Sequence, residues 1–171
     1  MQQRPLSAVR CKRLAQQGVV GLDDATLAEL APWLRFTPAL CGLGIAIGTV
    51  YASVPMLLAM TILATLGALL PWHPFDILYN YGVRFVTKTR ALPHNRAPRR
   101  LAMGICAVCL TATTSAFVAG ATILGYVLGG MTLVGPIMVT TTDLCLPSLL
   151  YSRRAPAARE RSRERTIEPS V

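Results

Sequence analysis

Two long stretches without ionisable side chains constrain the fold of this chain more than any other feature. Residues 36–72 and 101–142 contain no Asp, Glu, Lys, Arg or His. A helix that crosses the hydrocarbon core of a bilayer needs about 20 apolar residues, and each stretch is long enough for two such helices. The sequence therefore predicts an all-α membrane protein with four transmembrane helices in two hairpins.

Each stretch has a break near its middle. The first divides near residues 52–55 and the second near residues 119–120. The two turns formed there are short and carry no charge. We expect the four crossings to span about 37–51, 56–70, 101–118 and 121–142.

The basic residues set the predicted orientation. Of the 17 Lys and Arg residues, five precede the first crossing, six lie in the middle segment and six follow the fourth crossing. Basic residues in short flanking loops stay on the cytoplasmic side. We therefore expect a multi-pass protein of the cytoplasmic (inner) membrane with both termini in the cytoplasm. We therefore expect the basic residues behind the formal net charge of +9 to face the membrane surface rather than a nucleic acid.

The polar segments complete the predicted organisation. In order, these are a cytoplasmic N-terminal segment with a short helix over 1–35, a transmembrane hairpin over 36–72, a cytoplasmic amphipathic helix and linker over 73–100, a second hairpin over 101–146 and a basic cytoplasmic tail over 147–171.

Local signals add detail to these segments. Residues 1–22 read as a loose lead, and Asp23 begins the short helix because Asp is a good N-cap. Apolar residues at helical spacing predict an amphipathic helix over 74–89, which lies in the headgroup region. The tail over 153–166 mixes Arg and Glu and is expected to be mobile unless a partner holds it.

Four glycines form two pairs at a spacing of four residues. Small residues at this spacing let the backbones of two membrane helices approach closely. One interpretation is that the first crossing packs against the fourth within the chain. The other is an interface with a second copy or with a partner membrane protein. The residues are Gly44 and Gly48 in the first crossing, and Gly125 and Gly129 in the fourth.

Four cysteines lie in or next to the crossings, whereas Cys11 lies in the lead. Such a set is a candidate thiol site that binds a metal or exchanges a disulfide or persulfide. The alternative is that each Cys is a small buried apolar side chain, which the apolar helices around them favour. Neither a metal nor a cofactor follows from the pattern. The four residues are Cys41, Cys106, Cys109 and Cys145.

Three ionisable residues lie just outside the crossings, at the predicted membrane interface. His73 is interpreted as an interfacial or capping residue, and Asp76 and Asp143 as caps or partners in ion pairs with nearby arginines. A polar functional patch formed by Asp143 and the threonines at 140–142 is the alternative.

The residues support two hypotheses about function. The chain has no Gly-rich phosphate loop, zinc-protease helix or Gly-x-Ser-x-Gly elbow, and charged residues kept for function within crossings are absent. This favours a non-enzymatic accessory or structural protein that belongs to a larger membrane complex or forms a homo-oligomer. The alternative is a thiol-based protein that handles sulfur or redox equivalents at the cytoplasmic face.

Five short motifs resemble an uncharacterised family of small bacterial four-helix membrane proteins, known only as a domain of unknown function. The resemblance covers about residues 22–151 and implies a membrane protein, but no activity. Only two of the 17 basic residues are Lys. A preference for Arg over Lys suggests a bacterial genome rich in G and C. The motifs are WLRFTPALC at 33–41, HPFD at 73–76, YNYGVR at 79–84, APRR at 97–100 and TDLCLPS at 142–148.

The orientation can be tested with topology reporters. Fusions at Ser53 and Gly120 should report the far side of the membrane, and a fusion at Asn95 should report the cytoplasm, because all basic residues flank the crossings on one side. A fusion at Asn95 that reports the outside would overturn the orientation.

Overall fold

The computed structural model describes residues 7–19, 23–87 and 90–154, and within these ranges the chain is helical without strands. A 3₁₀ turn over Trp33–Arg35 leads into the third helix, and a π-helical turn over Tyr79–Val83 joins the fifth to the sixth. The helices are α1 (Ala8–Gln16), α2 (Asp24–Leu30), α3 (Phe36–Val50), α4 (Val54–Leu69), α5 (Pro74–Leu78), α6 (Arg84–Thr87), α7 (Ala97–Val118), α8 (Thr122–Thr142) and α9 (Leu146–Arg154).

Three of the described helical segments are long and apolar enough to cross a membrane. These are Trp33–Val50, α7 and α8, with 18, 22 and 21 residues. The 16-residue α4 passes the same test only when Pro74–Thr87, from which it is bent by 82°, is added to it. The fold is therefore compatible with a multi-pass membrane protein of three or four crossings.

The long helices form a bundle of two antiparallel hairpins, α3–α4 and α7–α8. Helix α4 packs against α7 and α3 packs against α8. Their shared core contains Ile45, Leu57, Met60, Ala64, Ala107 and Leu110. Helices α3 and α7 begin at the end of the bundle where α4 and α8 stop. Arg35 pairs there with Asp143, and Arg99 pairs with Asp76. We call this end of the bundle the charged end.

The residues before Asp23 are not wholly loose. Residues 8–16 form α1, whose N-terminus is capped by the Ser7 side chain. Leu14 is buried in a second core with residues of α2 and with Tyr79. The prediction of a loose lead was wrong here because the partners of α1 are distant in the sequence. Residues 1–6 and 20–22 of that lead lie outside the described ranges.

The segment after α4 also differs from the prediction. Residues 74–87 are helical throughout, as expected, but the middle of the helix over Tyr79–Val83 is π-helical. Tyr79 is fully buried, whereas Phe85 and Val86 are exposed. Residues 88–89 lie outside the described ranges.

The start of the predicted basic tail is a helix. Helix α9 packs against α7 and contacts α1. Residues 155–171, which hold most of the tail expected to be mobile, lie outside the described ranges.

The four paired glycines all face neighbours within the chain. A Cβ built on Gly44 or Gly48 would meet Met60 or Leu57 of α4, so these two glycines lie against α4 rather than against α8. A Cβ at Gly125 would lie 2.7 Å from the Phe117 ring, and one at Gly129 would lie 2.5 Å from Thr49 on α3. Three of these contacts therefore lie within a hairpin, and the contact of Gly129 with Thr49 is the one of the four that joins the two hairpins.

The contact at Gly129 can be tested against its neighbour. Gly129→Leu should lower the free energy of unfolding in detergent by about 1–3 kcal/mol, the usual cost of overpacking. Gly130→Leu is the matched control, because a Cβ at Gly130 meets nothing within 4 Å. Equal unfolding temperatures for the two variants would contradict close packing of α3 on α8.

Candidate functional site: a thiol-lined cavity

A cavity of about 210 Å³ lies among α3, α7, α8 and α9 and is lined by four of the five cysteines. Cys41 lies on α3, Cys106 and Cys109 lie on α7, and Cys145 lies in the connection between α8 and α9. All four are free thiols. The structure therefore brings the cysteines of three separate segments to one space.

The four sulfurs lie at different depths in the bundle. At about 1.5 Å per residue, Cys41 lies about 8 Å inside the start of α3, Cys106 about 14 Å inside the start of α7 and Cys109 about 18 Å inside it. Cys145 lies just beyond the end of α8. In the described ranges, no three His, Cys, Asp or Glu residues are placed to hold a metal ion together.

The remaining lining side chains are mostly apolar and include Met103, Met131 and Met138. Each polar side chain of the lining already has a partner inside the protein. The Gln17 amide donates to the Asp143 carbonyl, Arg99 to the Asp76 carboxylate, Thr132 to the Leu128 carbonyl and Ser148 to the Pro98 carbonyl. Sulfur atoms are therefore the main groups that the cavity offers to a ligand.

Arg99, which lines the cavity, donates a hydrogen bond to a buried carboxylate. Asp76, in the first turn of α5, is fully buried. Its Oδ1 accepts hydrogen bonds from the Thr37 hydroxyl at 2.6 Å and from Arg99 at 3.3 Å, whereas Oδ2 has no partner. The ion pair joins α5 to α7 and the threonine joins it to α3, so Asp76 fixes the bend after α4.

His73 lies beside Cys41 but is not placed to take its proton. The His73 Nδ1 accepts a hydrogen bond from the Phe75 amide at 3.2 Å, and Nε2 lies 3.9 Å from the Cys41 sulfur. Burial lowers the pKa of His73 to about 4, so the ring is neutral near pH 7. With Nδ1 accepting, Nε2 carries the ring proton and faces the sulfur as a donor. The pair is therefore not a Cys–His nucleophile with a histidine base.

Two residues of this region were missed by the sequence reasoning. A Cβ at Gly67 would lie 2.2 Å from the His73 ring, so glycine is needed there. Asn95 is buried and donates from its side chain to the Gly67 carbonyl and from its backbone to the Pro71 carbonyl. Its Oδ1 has no partner. A polar residue in a linker carries no local sign of such burial.

Asp143, the residue directly after α8, binds two arginines from other segments. Its backbone is left-handed, with φ of 55°, and the residue is only 3% exposed. Arg35 donates to both carboxylate oxygens at 2.7 and 2.5 Å, and Arg10 donates at 2.7 Å. Burial raises the pKa of Asp143, but the bonds and charges of the two arginines outweigh this and hold the pKa below its usual value.

Helix α1 caps the same helix end. Arg13 donates to the Thr142 carbonyl at 2.6 Å and Gln17 to the Asp143 carbonyl at 2.7 Å. The last carbonyls of a helix have no partner within the helix, so α1 supplies the donors that they lack. The hydroxyls of Thr140, Thr141 and Thr142 instead bond to carbonyls of α8 itself.

Comparison with known proteins gives a family but no activity. A family model described as a domain of unknown function, DUF4395, matches residues 31–154. This range contains the whole bundle and all four cavity cysteines. No curated protein and no solved structure matches the chain.

The ion pairs of Asp143 with Arg10 and Arg35, which we call the clamp, can be tested with a conservative variant. Asp143→Asn keeps a residue that tolerates the left-handed backbone but removes the charge that binds Arg10 and Arg35. It should lower the free energy of unfolding by about 1–3 kcal/mol and speed tryptic cleavage within α1. Thr141→Val is the control, since that hydroxyl bonds only to its own helix. Unchanged cleavage in Asp143→Asn would show that the clamp does not hold α1.

Proposed function

The chain belongs to the DUF4395 family, a domain of unknown function, and we propose that it is an inner-membrane protein that exchanges sulfur or redox equivalents through its thiol-lined cavity. The observation that carries this proposal is the convergence of Cys41, Cys106, Cys109 and Cys145 on one cavity. Cysteines that serve only as small apolar side chains have no need to share a space.

The charged end supports a placement with four crossings and this end in the cytoplasm. Arg35 at the start of α3 pairs with Asp143 at the end of α8. Arg100 on α7 donates to the carbonyls of Ala68 and Leu69 at the end of α4. The opposite turns contain no charged residue. Basic residues at one end only are typical of the cytoplasmic side.

The length of α4 also fits a crossing. Its 16 residues span about 24 Å at 1.5 Å per residue, and the uncharged residues 51–53 and 70–72 extend the apolar stretch at both ends. Under this placement the bend after α4 lies at the membrane surface, and α5 and α6 run along it with Phe85 and Val86 exposed toward the lipid.

The chemistry that suits the cavity is exchange with a disulfide or a persulfide. A cysteine thiolate attacks one sulfur of the donor's S–S bond, a new S–S bond forms to the cysteine, and the donor leaves as a thiolate that takes up the displaced proton. One S–S bond forms and one breaks, so no further oxidant is needed. The other sulfurs along the cavity can attack the new bond in turn.

An internal disulfide fits less well at Cys106 and Cys109. Side chains three residues apart on a helix have Cβ atoms about 5–6 Å apart, whereas a disulfide needs about 3.5–4.5 Å. Bond formation would require α7 to distort. Exchange with an external sulfur compound requires no such distortion.

An accessory role in a larger membrane complex is the second candidate. Gly125 and Gly129 are the buried residues of α8, and its outward face exposes Ile123, Val127 and Val134. This face suits either lipid or a partner helix.

The proposed function can be tested by the state of the thiols in native membranes. After rapid acid quenching, differential alkylation and mass spectrometry should find part of the cavity thiols blocked as disulfide or persulfide. That fraction should rise at least twofold when cells receive a sulfane-sulfur donor. Replacing Cys106 and Cys109 with Ser should abolish the rise at Cys41 and Cys145.

Cys11→Ser is the control, because Cys11 lies on α1 and does not line the cavity. It should leave the response of the cavity thiols unchanged. Cavity thiols that stay fully reduced under all conditions would refute thiol exchange and leave the accessory role as the better explanation.

A further inference from the structure

The cavity lies between α7 and α8, in the half of both helices nearer the charged end. The buried residues of α8 are Gly125 and Gly129, both in the half that begins at the uncharged turn. In that half Gly125 lies against Phe117 of α7, and the Phe117 ring meets the Tyr126 ring edge-on. Toward the charged end, residues of both helices line the cavity.

The mouth of the cavity is apolar and lies between these two helices. Among its lining residues, Ile105 of α7 is 45% exposed, Met131 of α8 is 69% exposed, and Gly135 is exposed as well. At about 1.5 Å per residue, Ile105 lies about 12 Å inside the start of α7 and Met131 about 16 Å before the end of α8. Arg99 and Arg100 place the edge of the hydrocarbon core near Leu101. In a core about 30 Å thick, Ile105 then lies about 6 Å inside that edge and Met131 lies close to the middle.

The side of the cavity toward the charged end is bordered by hydrogen-bonded elements, although Leu146 of α9, which also lines the cavity there, is 51% exposed. Gln17 and Arg13 hold α1 on the end of α8, and Arg10 and Arg35 hold Asp143. Ser148 of α9, which is fully buried, bonds to the Pro98 carbonyl at the start of α7. A water-soluble molecule that approaches from this side meets ordered, hydrogen-bonded elements.

The lining also selects against a charged or strongly polar ligand. It contains no His, Asp or Glu among the described residues, and Gln17, Arg99, Thr132 and Ser148 are already hydrogen-bonded within the protein. With so few polar groups in the lining, a polar ligand would regain only part of the hydration that it loses, which is unfavourable. An apolar molecule with a soft reactive group would lose nothing and would meet sulfur.

We infer that the cavity is reached from within the bilayer, between α7 and α8, and takes a lipid-soluble, thiol-reactive molecule with a head about the size of one aromatic ring. The inference rests on the membrane placement and thiol exchange proposed above. The size follows from volume, since an apolar cavity of about 150 Å³ holds benzene and this one measures about 210 Å³.

A second surface feature points the same way. Ile105 and Cys109 also line a groove on the outer side of the bundle between α4 and α7, with Gly104 and Val108. Cys109, the deepest of the four sulfurs, therefore borders both openings. Cys41 and Cys145 lie progressively nearer the charged end. A ligand that arrives through lipid would meet Cys109 and Cys106 before the other two.

Access can be measured with two reagents that share one reactive group. The native chain in phospholipid vesicles is treated with N-phenylmaleimide, which is lipid-soluble, or with its sulfonated analogue, and each cysteine is quantified by mass spectrometry. Cys109 should react at least tenfold faster with the neutral reagent, after correction by the ratio at Cys11, which lies outside the proposed crossings. Comparable rates at Cys109 for the two reagents, or no reaction with either, would overturn the inference.

The route is tested by obstructing the mouth. Met131→Trp should slow the reaction of Cys109 with N-phenylmaleimide at least fivefold. Val134→Trp is the matched control, because Val134 is also exposed on α8 but does not line the cavity. Equal rates in the two variants would place the route elsewhere.

This result separates the inference from the proposed function. Preference for the neutral reagent, together with thiols that never leave the reduced state in cells, would refute exchange but keep lipid access. Responsive thiols that prefer the charged reagent would keep exchange and refute lipid access.

Discussion

The buried carboxylate of Asp143 is the interaction on which the arrangement at the charged end depends. It lies where α8 stops, and it draws Arg35 from the start of α3 and Arg10 from α1 to the same point. A buried carboxylate without such partners would be strongly unfavourable. The position of α1, and with it the wall that Gln17 adds to the cavity, therefore follows from satisfying one charge.

Asp76 plays the corresponding part at the bend after α4, and the consequence reaches the cavity through Arg99. Arg99 lines the cavity, and its guanidinium is held at the Asp76 carboxylate. Its charge is thus compensated before any ligand arrives. The ion pairs of the two aspartates thus neutralise the arginines at this end. The remaining lining of the cavity consists mainly of thiols, thioethers and hydrocarbon side chains.

The sequence could predict the long helices because their signal is local. Freedom from charge over 36–72 and 101–142, with breaks near Pro55 and Gly120, places α3, α4, α7 and α8 to within a few residues. Membership of an uncharacterised family was also predictable, because the motif residues are contiguous. The largest difference at a helix end is at the start of α7, which begins at Ala97 rather than near residue 101 because Arg99 and Arg100 are part of the helix.

What could not be predicted depends on contacts between distant residues. The helical state of residues 8–16 depends on Asp143 and Thr142, more than a hundred residues away. The burial of Asn95 depends on Gly67 and Pro71. The convergence of Cys41 with Cys106 depends on how α3 and α7 are rotated about their own axes, and apolar helices without a polar face give no sign of that rotation.

The depth of the sulfurs gives the cavity a direction. Cys109 and Cys106 lie well inside α7, Cys41 lies nearer the start of α3, and Cys145 lies beyond the end of α8. A single binding site would gather its ligating atoms at one point, whereas these are distributed along the cavity from its apolar mouth to the charged end. Such a distribution suits a group passed from sulfur to sulfur between the apolar mouth and the charged end better than it suits a ligand held in one place.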